Sequence, residues 1–453
     1  MKSLLISGDR SGAGKTSVTL AIAGLLAKES SVQTYKVAMD YIDTSYLAGV
    51  TGRPCYNLDT FVQTPEETAG LFAYGAKGAE YGIVEGVRGL YEGVDALTDV
   101  GSTASVAKLF DLPVVLVVNA RSITRSAAAL VKGFAAFDPD VRISGVILNN
   151  VMGDRHISKA KQAIEHYCGI PVLGAVPRRP EMELAMRHLG LVPFREGSDN
   201  SEFFERIDFI TDVIGEYVDM DAVRSVAKER SFPENDVSRM LSSEPASETR
   251  IAVAYDEAFN FYYGELAAVL RSLGADVVYF SPMHDRLPDA DGYIFGGGYP
   301  ELFSKELEAN DSMREAVLET AANDVPMYAE CGGLMYLTRS LTLERGWQGR
   351  ESELAAEMCG VFAGDTRMPV KKALGYVVGT ANVAGRSFPI RGHEFHYSGV
   401  VMDDCVKYAY RLDRGVGIAS GRDGAIVHKT LGSYAHLMPV SSRELLGSFF
   451  DLV

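Results

Sequence analysis

The chain has 453 residues, 47% of them hydrophobic and 23% charged, the balance of a soluble globular protein and not of a disordered, collagenous or low-complexity chain. Two or three domains are expected at this length. Subtracting 60 acidic from 44 basic side chains leaves a net charge of −16, a field that repels nucleic-acid phosphates and anionic membranes, so an anionic ligand has to be held by locally clustered donors.

No run reaches the roughly 18 apolar residues of a membrane span, and the opening residues 1–8 are too short for a signal-peptide core. A cytoplasmic location with no membrane and no nucleic-acid partner is expected. The 5 cysteines, Cys55, Cys168, Cys331, Cys359 and Cys405, form no C-x-x-C pair, which argues against a disulfide framework or a structural zinc site.

In chain order, short apolar, β-branched runs at 4–6, 83–84, 114–118, 143–148 and 172–173 alternate with helical stretches, the signature of a parallel sheet with crossover helices. After the first run, residues 8–16 read Gly-Asp-Arg-Ser-Gly-Ala-Gly-Lys-Thr, followed by an apolar-periodic stretch over 18–26. Strand, glycine loop and helix are the context of a phosphate-binding loop. Gly12 and Gly14 let backbone N–H groups converge on phosphate oxygens, Lys15 adds a point charge, and the Thr16 hydroxyl suits Mg²⁺. The spacing is a variant: Asp9 stands where the usual pattern has its first glycine. The loop resembles that of the dethiobiotin synthetase and partition-ATPase branch of P-loop proteins, although Arg10 stands where partition ATPases carry a second lysine.

Asp40 and Asp43 follow the strand near residue 36, Glu85 ends the strand near 83, and Glu92 follows it. Strand-end loops face the crevice of an open parallel sheet, so these four acids are expected at one metal–nucleotide site, with Glu85 the metal carboxylate. Asp40 or Asp43 serves equally as a helix cap. Asn149 ends a further strand, where an amide suits base recognition or a turn. Mixed polar residues with prolines at 231–236 and 242–247 read as an interdomain linker.

A second α/β pattern starts with a strand at 251–254, a helix near 265–273 and a strand at 276–280. Residues 325–334 place Cys331 between an apolar strand and a helix, followed by Gly332 and Gly333. That is a nucleophile elbow, where helix N–H groups favour thiolate and supply oxyanion donors. The glycine turn at 296–301 is a candidate for a second oxyanion N–H. Among 8 histidines, His436 is the expected base; His393 and His396, three apart and flanking Glu394, are its competitors and are read as hydrogen-bonded structural or substrate-contact groups.

Taken together, the phosphate loop, residues 36–43, 57–59, 85–93, 259–263, 296–301, 330–337 and 392–398 resemble the cobyrinic acid a,c-diamide synthase family, nearly end to end. That family includes the Ni-sirohydrochlorin a,c-diamide synthases of methanogens. The resemblance implies an α/β protein with an N-terminal P-loop ATP domain (1–225), a linker (226–249) and a C-terminal class I glutamine amidotransferase domain (250–453). It implies ATP- and glutamine-dependent amidation of the a and c acetates of a tetrapyrrole, through an acyl phosphate, in cobalamin biosynthesis or methanogenesis. Cys331 becomes the glutaminase nucleophile and His436 its base. Gly12, Gly14, Lys15, Thr16 and Asn149 bind ATP, while Thr16, Asp43 and Glu85 hold Mg²⁺. Asp40, Arg53, Arg88 and Glu92 are expected at the acceptor, with at least two of Arg53, Arg88, Arg121 and Arg125 on its carboxylates. Ala38-Met39 replaces the Gly-Pro of many members, and Met438 stands where many class I glutaminases carry a glutamate, which implies a Cys-His dyad. A homodimer is compatible with the sequence. The alternatives are a cobyric acid synthase-like amidotransferase acting on other carboxylates, and a partition or scaffold ATPase with a degenerate glutaminase domain.

Overall fold

The computed structural model describes residues 1–182, 186–187, 190–191, 201–242 and 249–452. The chain divides into two compact units, Met1–Arg239 and Met240–Val453.

In the first unit, strands β1 (Lys2–Gly8), β2 (Val32–Val37), β3 (Tyr56–Leu58), β4 (Tyr81–Gly89), β5 (Val114–Asn119), β6 (Ile143–Val151) and β7 (Val172–Pro177) form one sheet in the order β3-β2-β4-β1-β5-β6-β7. Every neighbouring pair on that path is parallel. Parallel strands need crossovers, supplied by α1 (Lys15–Ala27), α2 (Ile42–Thr51), α3 (Pro65–Ala76), α4 (Thr103–Leu109), α5 (Arg125–Phe137) and α6 (Asp154–Cys168). Leu4, Ile6, Ile83, Val115, Val117 and Ile147 are fully buried, which is why these strands read as continuous apolar runs. Because β4 and β5 flank β1, the chain order reverses at β1 and opens a crevice at its carboxyl end.

The stretch read as linker is structured in its first part. Lys228–Glu229 pairs antiparallel with Lys2 and Ser3, alongside the start of β1 that β5 does not reach, since β5 pairs only from Leu5 onward. Asn235 caps the helix Asp236–Leu241, its Oδ1 accepting from Ser238 N at 3.0 Å. Residues 243–248 lie outside the described residues.

The second unit is built on ten strands: β8 (Arg250–Ala254), β9 (Asp276–Phe280), β10 (Gly292–Phe295), β11 (Met327–Glu330), β12 (Ala373–Val383), β13 (Arg386–His396), β14 (Lys407–Arg414), β15 (Arg422–Val427), β16 (Thr430–Ser433) and β17 (His436–Leu437). Their order is β9-β8-β10-β11-β16-β15-β14-β12-β13-β17. The half from β9 to β16 is parallel; from β16 onward each pair is antiparallel. Helices α7 (Leu266–Ser272) and α8 (Gly332–Leu337) belong to this unit. Ala252, Phe295, Met327, Ala329 and all of α8 are buried in its core.

Candidate functional site

The phosphate loop joins β1 to α1 as the sequence requires. Gly12 and Gly14 have φ of 75° and 91°, backbone that an L side chain resists; a side chain on Gly14 would also collide with Asn149 Nδ2. Asn149, at the carboxyl end of β6, donates to Ala13 O at 2.9 Å, so it braces the loop directly. Asp9, buried, accepts from Arg10 Nη2 at 2.8 Å.

Thr16 Oγ1 donates to Glu85 Oε1 at 2.8 Å and lies 3.3 Å from Asp43 Oδ2; Lys15 Nζ lies 3.9 Å from Glu85. Of the four strand-end acids expected at one site, Asp43 and Glu85 meet at Thr16. At the centre of this group is a residue the sequence reading did not single out. Lys36 Nζ, on β2, contacts Asp43 Oδ2 at 2.5 Å, Glu85 Oε1 at 2.8 Å and Gly86 O at 3.3 Å. Burial alone pulls the Lys36 ammonium down, but Asp43, Glu85 and Asp40 outweigh it and hold it above its ordinary value. Burial likewise favours a neutral Asp43, yet Lys36 and Lys15 keep it below the usual carboxylate range. Lys15 itself is lowered, by burial and then by Lys36. The signal available in the sequence was a lysine one residue before the end of a strand, with acids four and seven residues on.

One hydroxyl and two carboxylates form an oxygen set suited to Mg²⁺, and Glu85 Oε2 is buried with no hydrogen-bond partner among the described residues. Among those residues no cluster of three His, Cys, Asp or Glu side chains is arranged to hold a metal.

Asp40 Oδ1 accepts from Ile42 N and Asp43 N at 3.0 and 2.9 Å, so its carboxylate caps α2, and burial pushes it up to about 6. Asn57 Nδ2 donates to Ala38 O and Asp40 O and fixes that turn. Arg88, at the end of β4, has φ 50° and a side chain open to solvent; Glu92 folds back so that a side chain on Gly89 would strike its carboxylate. Arg121 is exposed beyond the end of β5, and Arg125 stacks on Tyr167 with 5.0 Å to the ring centroid. Arg53 corrects the expectation. It follows α2, which returns the chain to the opposite edge of the sheet, and its guanidinium donates to Gln33 Oε1 at 3.1 Å, Gly75 O at 3.1 Å and Lys77 O at 2.9 Å. It sits where β2 begins, away from the phosphate loop.

In the second unit, Cys331 stands between β11 and α8 with φ 47° and ψ −97°. Its N–H donates to Ser433 O at 2.7 Å, and its carbonyl accepts from Met335 N at 3.0 Å. Gly332 lets the turn approach its neighbour: a Cβ there would lie 3.0 Å from Gly298 N. Gly333 N donates to Gly296 O at 2.9 Å, and Gly296 N donates to Tyr262 Oη at 2.7 Å, so the glycine turn is pinned beside the elbow. Burial, then Glu301 and Glu330, pushes the Cys331 thiol up.

His436 reaches this end of β11 on β17, where a side chain on Gly297 would lie 2.7 Å from His436 Cε1. Its Nδ1 is 3.1 Å from Glu330 Oε2, a contact the expected dyad did not contain. The competitors have other occupations. His393 faces His436 across the β13–β17 pair with ring centroids 5.1 Å apart, and burial lowers it well below its ordinary range. His396 stacks on Tyr434 at 3.7 Å and bonds Ser398 O at 2.8 Å. Glu394 accepts from Val416 N and Gly417 N at 2.6 and 2.9 Å. Asp423, pushed up to about 6 by burial, accepts from Tyr434 N and Ala435 N at 3.0 and 2.9 Å and so holds the turn that delivers His436.

Comparisons with known proteins follow the same division. Residues 4–192 match the CobQ/CobB/MinD/ParA nucleotide binding domain, and residues 250–444 match the CobB/CobQ-like glutamine amidotransferase domain. The chain is 46% identical to the cobyrinate a,c-diamide synthase of Methanosarcina acetivorans, over 99% of this chain and 94% of that protein. It is 44% identical to that of Methanosarcina barkeri (99% and 95%) and 41% identical to that of Methanothermobacter thermautotrophicus (98% and 98%).

Proposed function

Because the chain belongs to the cobyrinate a,c-diamide synthase family, we propose that it carries out ATP- and glutamine-dependent amidation of the a and c acetate side chains of a tetrapyrrole, cobyrinate or Ni-sirohydrochlorin. The observation that carries the reading is the presence of both half-sites, a phosphate loop whose Thr16 contacts Glu85 and Asp43, and a cysteine elbow with its histidine. The near full-length identity favours this over a cobyric acid synthase-like enzyme or a scaffold ATPase; a degenerate glutaminase would have no use for the elbow.

A carboxylate does not react with ammonia directly, so ATP first converts the acetate to an acyl phosphate. In our reading the loop N–H groups around Gly12 and Gly14 take the phosphates, Lys15 neutralises charge on the transferring group, and Asn149 keeps the loop closed or reads the base. Thr16, Asp43 and Glu85 would hold Mg²⁺, which would supply positive charge against the phosphates. Lys36 is buried among the same acids, which suits it to the transferred phosphoryl group or the acceptor carboxylate. Arg88, Glu92 and Asp40 lie at the strand ends next to this cluster and are assigned to the acceptor, whereas Arg53 is withdrawn. Cys331 attacks the glutamine amide with His436 as base, releasing ammonia. Ammonia protonates in neutral water, which is the physical reason to place both activities on one chain.

Mass spectrometry of products, after supplying cobyrinate and Ni-sirohydrochlorin separately with ATP and glutamine, tests this. Two successive replacements of OH by NH₂ on one of them are expected; an unmodified acceptor in both reactions overturns the reading.

A further inference from the structure

The carboxylate that holds His436 comes from the residue immediately before the nucleophile. We propose that Glu330 is the positioning residue of the thiol site, completing a Cys331–His436–Glu330 relay in which the acid is supplied by β11 instead of by the segment after the histidine. This rests on the glutaminase roles proposed above for Cys331 and His436.

An ionised carboxylate only accepts hydrogen bonds, so the 3.1 Å contact between Glu330 Oε2 and His436 Nδ1 places the ring proton on Nδ1 and leaves the Nε2 lone pair open for a proton. The carboxylate is itself fixed. Its other oxygen, Oε1, accepts from Tyr328 Oη at 2.8 Å and from Leu437 N at 3.1 Å. One side chain thus orients both the imidazole and the backbone that follows it. The register explains how the acid arrives: Glu330 pairs with Ser433 in the parallel β11–β16 ladder, and the chain from Ser433 to His436 folds over the end of β11. Met438, two residues after His436, carries only a weakly accepting thioether. The other charged or titratable groups around the site have their own roles. His393 stacks on His436, Asp423 is held by Tyr434 N and Ala435 N, and Glu301 acts on Cys331.

In the reaction, Nε2 takes the thiol proton as Sγ bonds to Cδ of glutamine. The tetrahedral adduct expels the amide nitrogen, which takes that proton from Nε2 and leaves as ammonia. Water then adds to the thioester, its proton passing through Nε2 to the departing Sγ, which gives glutamate and the restored thiol. Glu330 touches neither reactant. It keeps Nε2 aimed and stabilises the imidazolium that forms twice.

The test is steady-state glutamine hydrolysis by Glu330→Gln across pH, with circular dichroism on the same samples and Cys331→Ser alongside. An amide presents either oxygen or NH₂ to Nδ1, so the tautomer is no longer enforced. A fall in kcat of roughly 10²- to 10⁴-fold is expected, with KM for glutamine little changed. The pH profile changes shape as well, because the negative charge beside the imidazole is gone. Tyr328→Phe keeps the charge and removes one support, so a smaller fall in kcat with an unchanged pH profile is expected. A folded Glu330→Gln with wild-type kcat and pH profile overturns the proposal; if that variant does not fold, a wild-type kcat in Tyr328→Phe overturns it. Retained hydrolysis by Cys331→Ser would instead overturn the underlying assignment.

Discussion

Glu265 is fully buried, and neither of its side-chain oxygens has a hydrogen-bond partner in another residue among the described residues. Burial pushes its pKa up to about 8, from 4.5. A folded-state pKa above the unfolded value means that the native protein holds a proton the unfolded chain has lost, so this group's contribution to stability is full below about pH 4.5 and is lost as pH rises through about 8. Glu265→Gln is therefore expected to melt near the wild-type temperature at pH 5 and above it at pH 8.5; a constant difference across that range would refute the assignment. A second residue-scale prediction concerns Glu85, which meets Thr16, Lys15 and Lys36. Glu85→Gln is expected to lower ATP-dependent amidation roughly 10²-fold or more while glutamine hydrolysis continues, as coupled phosphate-release and glutamate assays would show. Glu85 was legible because an acid at a strand end after a phosphate loop has few other uses. Lys36 was not, because its meaning depends on three acids that the sheet brings to it. Glu330 was hidden for the same reason, since its partner lies 106 positions away.

At the scale of elements, the apolar runs located β1, β4, β5, β6 and β7, and the glycines located both turns that carry chemistry. What the runs do not encode is which end of a strand a neighbouring residue reaches. Arg53 precedes a strand and so lies at the edge opposite the crevice. The antiparallel half of the second sheet was also invisible: β12 and β13 pair over 11 residues and β17 is only two residues long, and only the fold defines these pairings. One junction carries backbone strain. Ala38, between β2 and α2, has φ 70°, a left-handed conformation in which Cβ crowds the following carbonyl. Ala38→Gly is expected to stabilise the protein by about 0.5–1 kcal/mol, the relief of strain less the added freedom of the unfolded chain. An increased urea midpoint at constant m-value would show it; a decrease would mean that neighbouring contacts, not backbone strain, dominate this turn.

For the whole molecule, the two motif sets reside in separate compact units, and in the proposed scheme the thiol serves only to make ammonia. Cys331→Ser is expected to lose glutamine-dependent amidation by roughly 10³-fold or more and to retain amidation from concentrated ammonium salt. Equal loss with both nitrogen sources would dissolve that division of labour. The sequence showed the division through its two motif sets, whereas the mixed sheet of the second unit emerged only from pairing. The position of β16 in that sheet carries a consequence for synthesis. Glu229 closes the first unit's sheet against Lys2, but β11 gains its second neighbour only with Thr430 to Ser433, and His436 comes later still. On the ribosome, where chains emerge N-terminus first at about 5–20 residues per second, the nucleotide unit's sheet is complete some 200 residues before the glutaminase centre can form. An unfinished chain is thus a nucleotide binder with no means of splitting glutamine, and every copy that can liberate ammonia already carries the unit that consumes it.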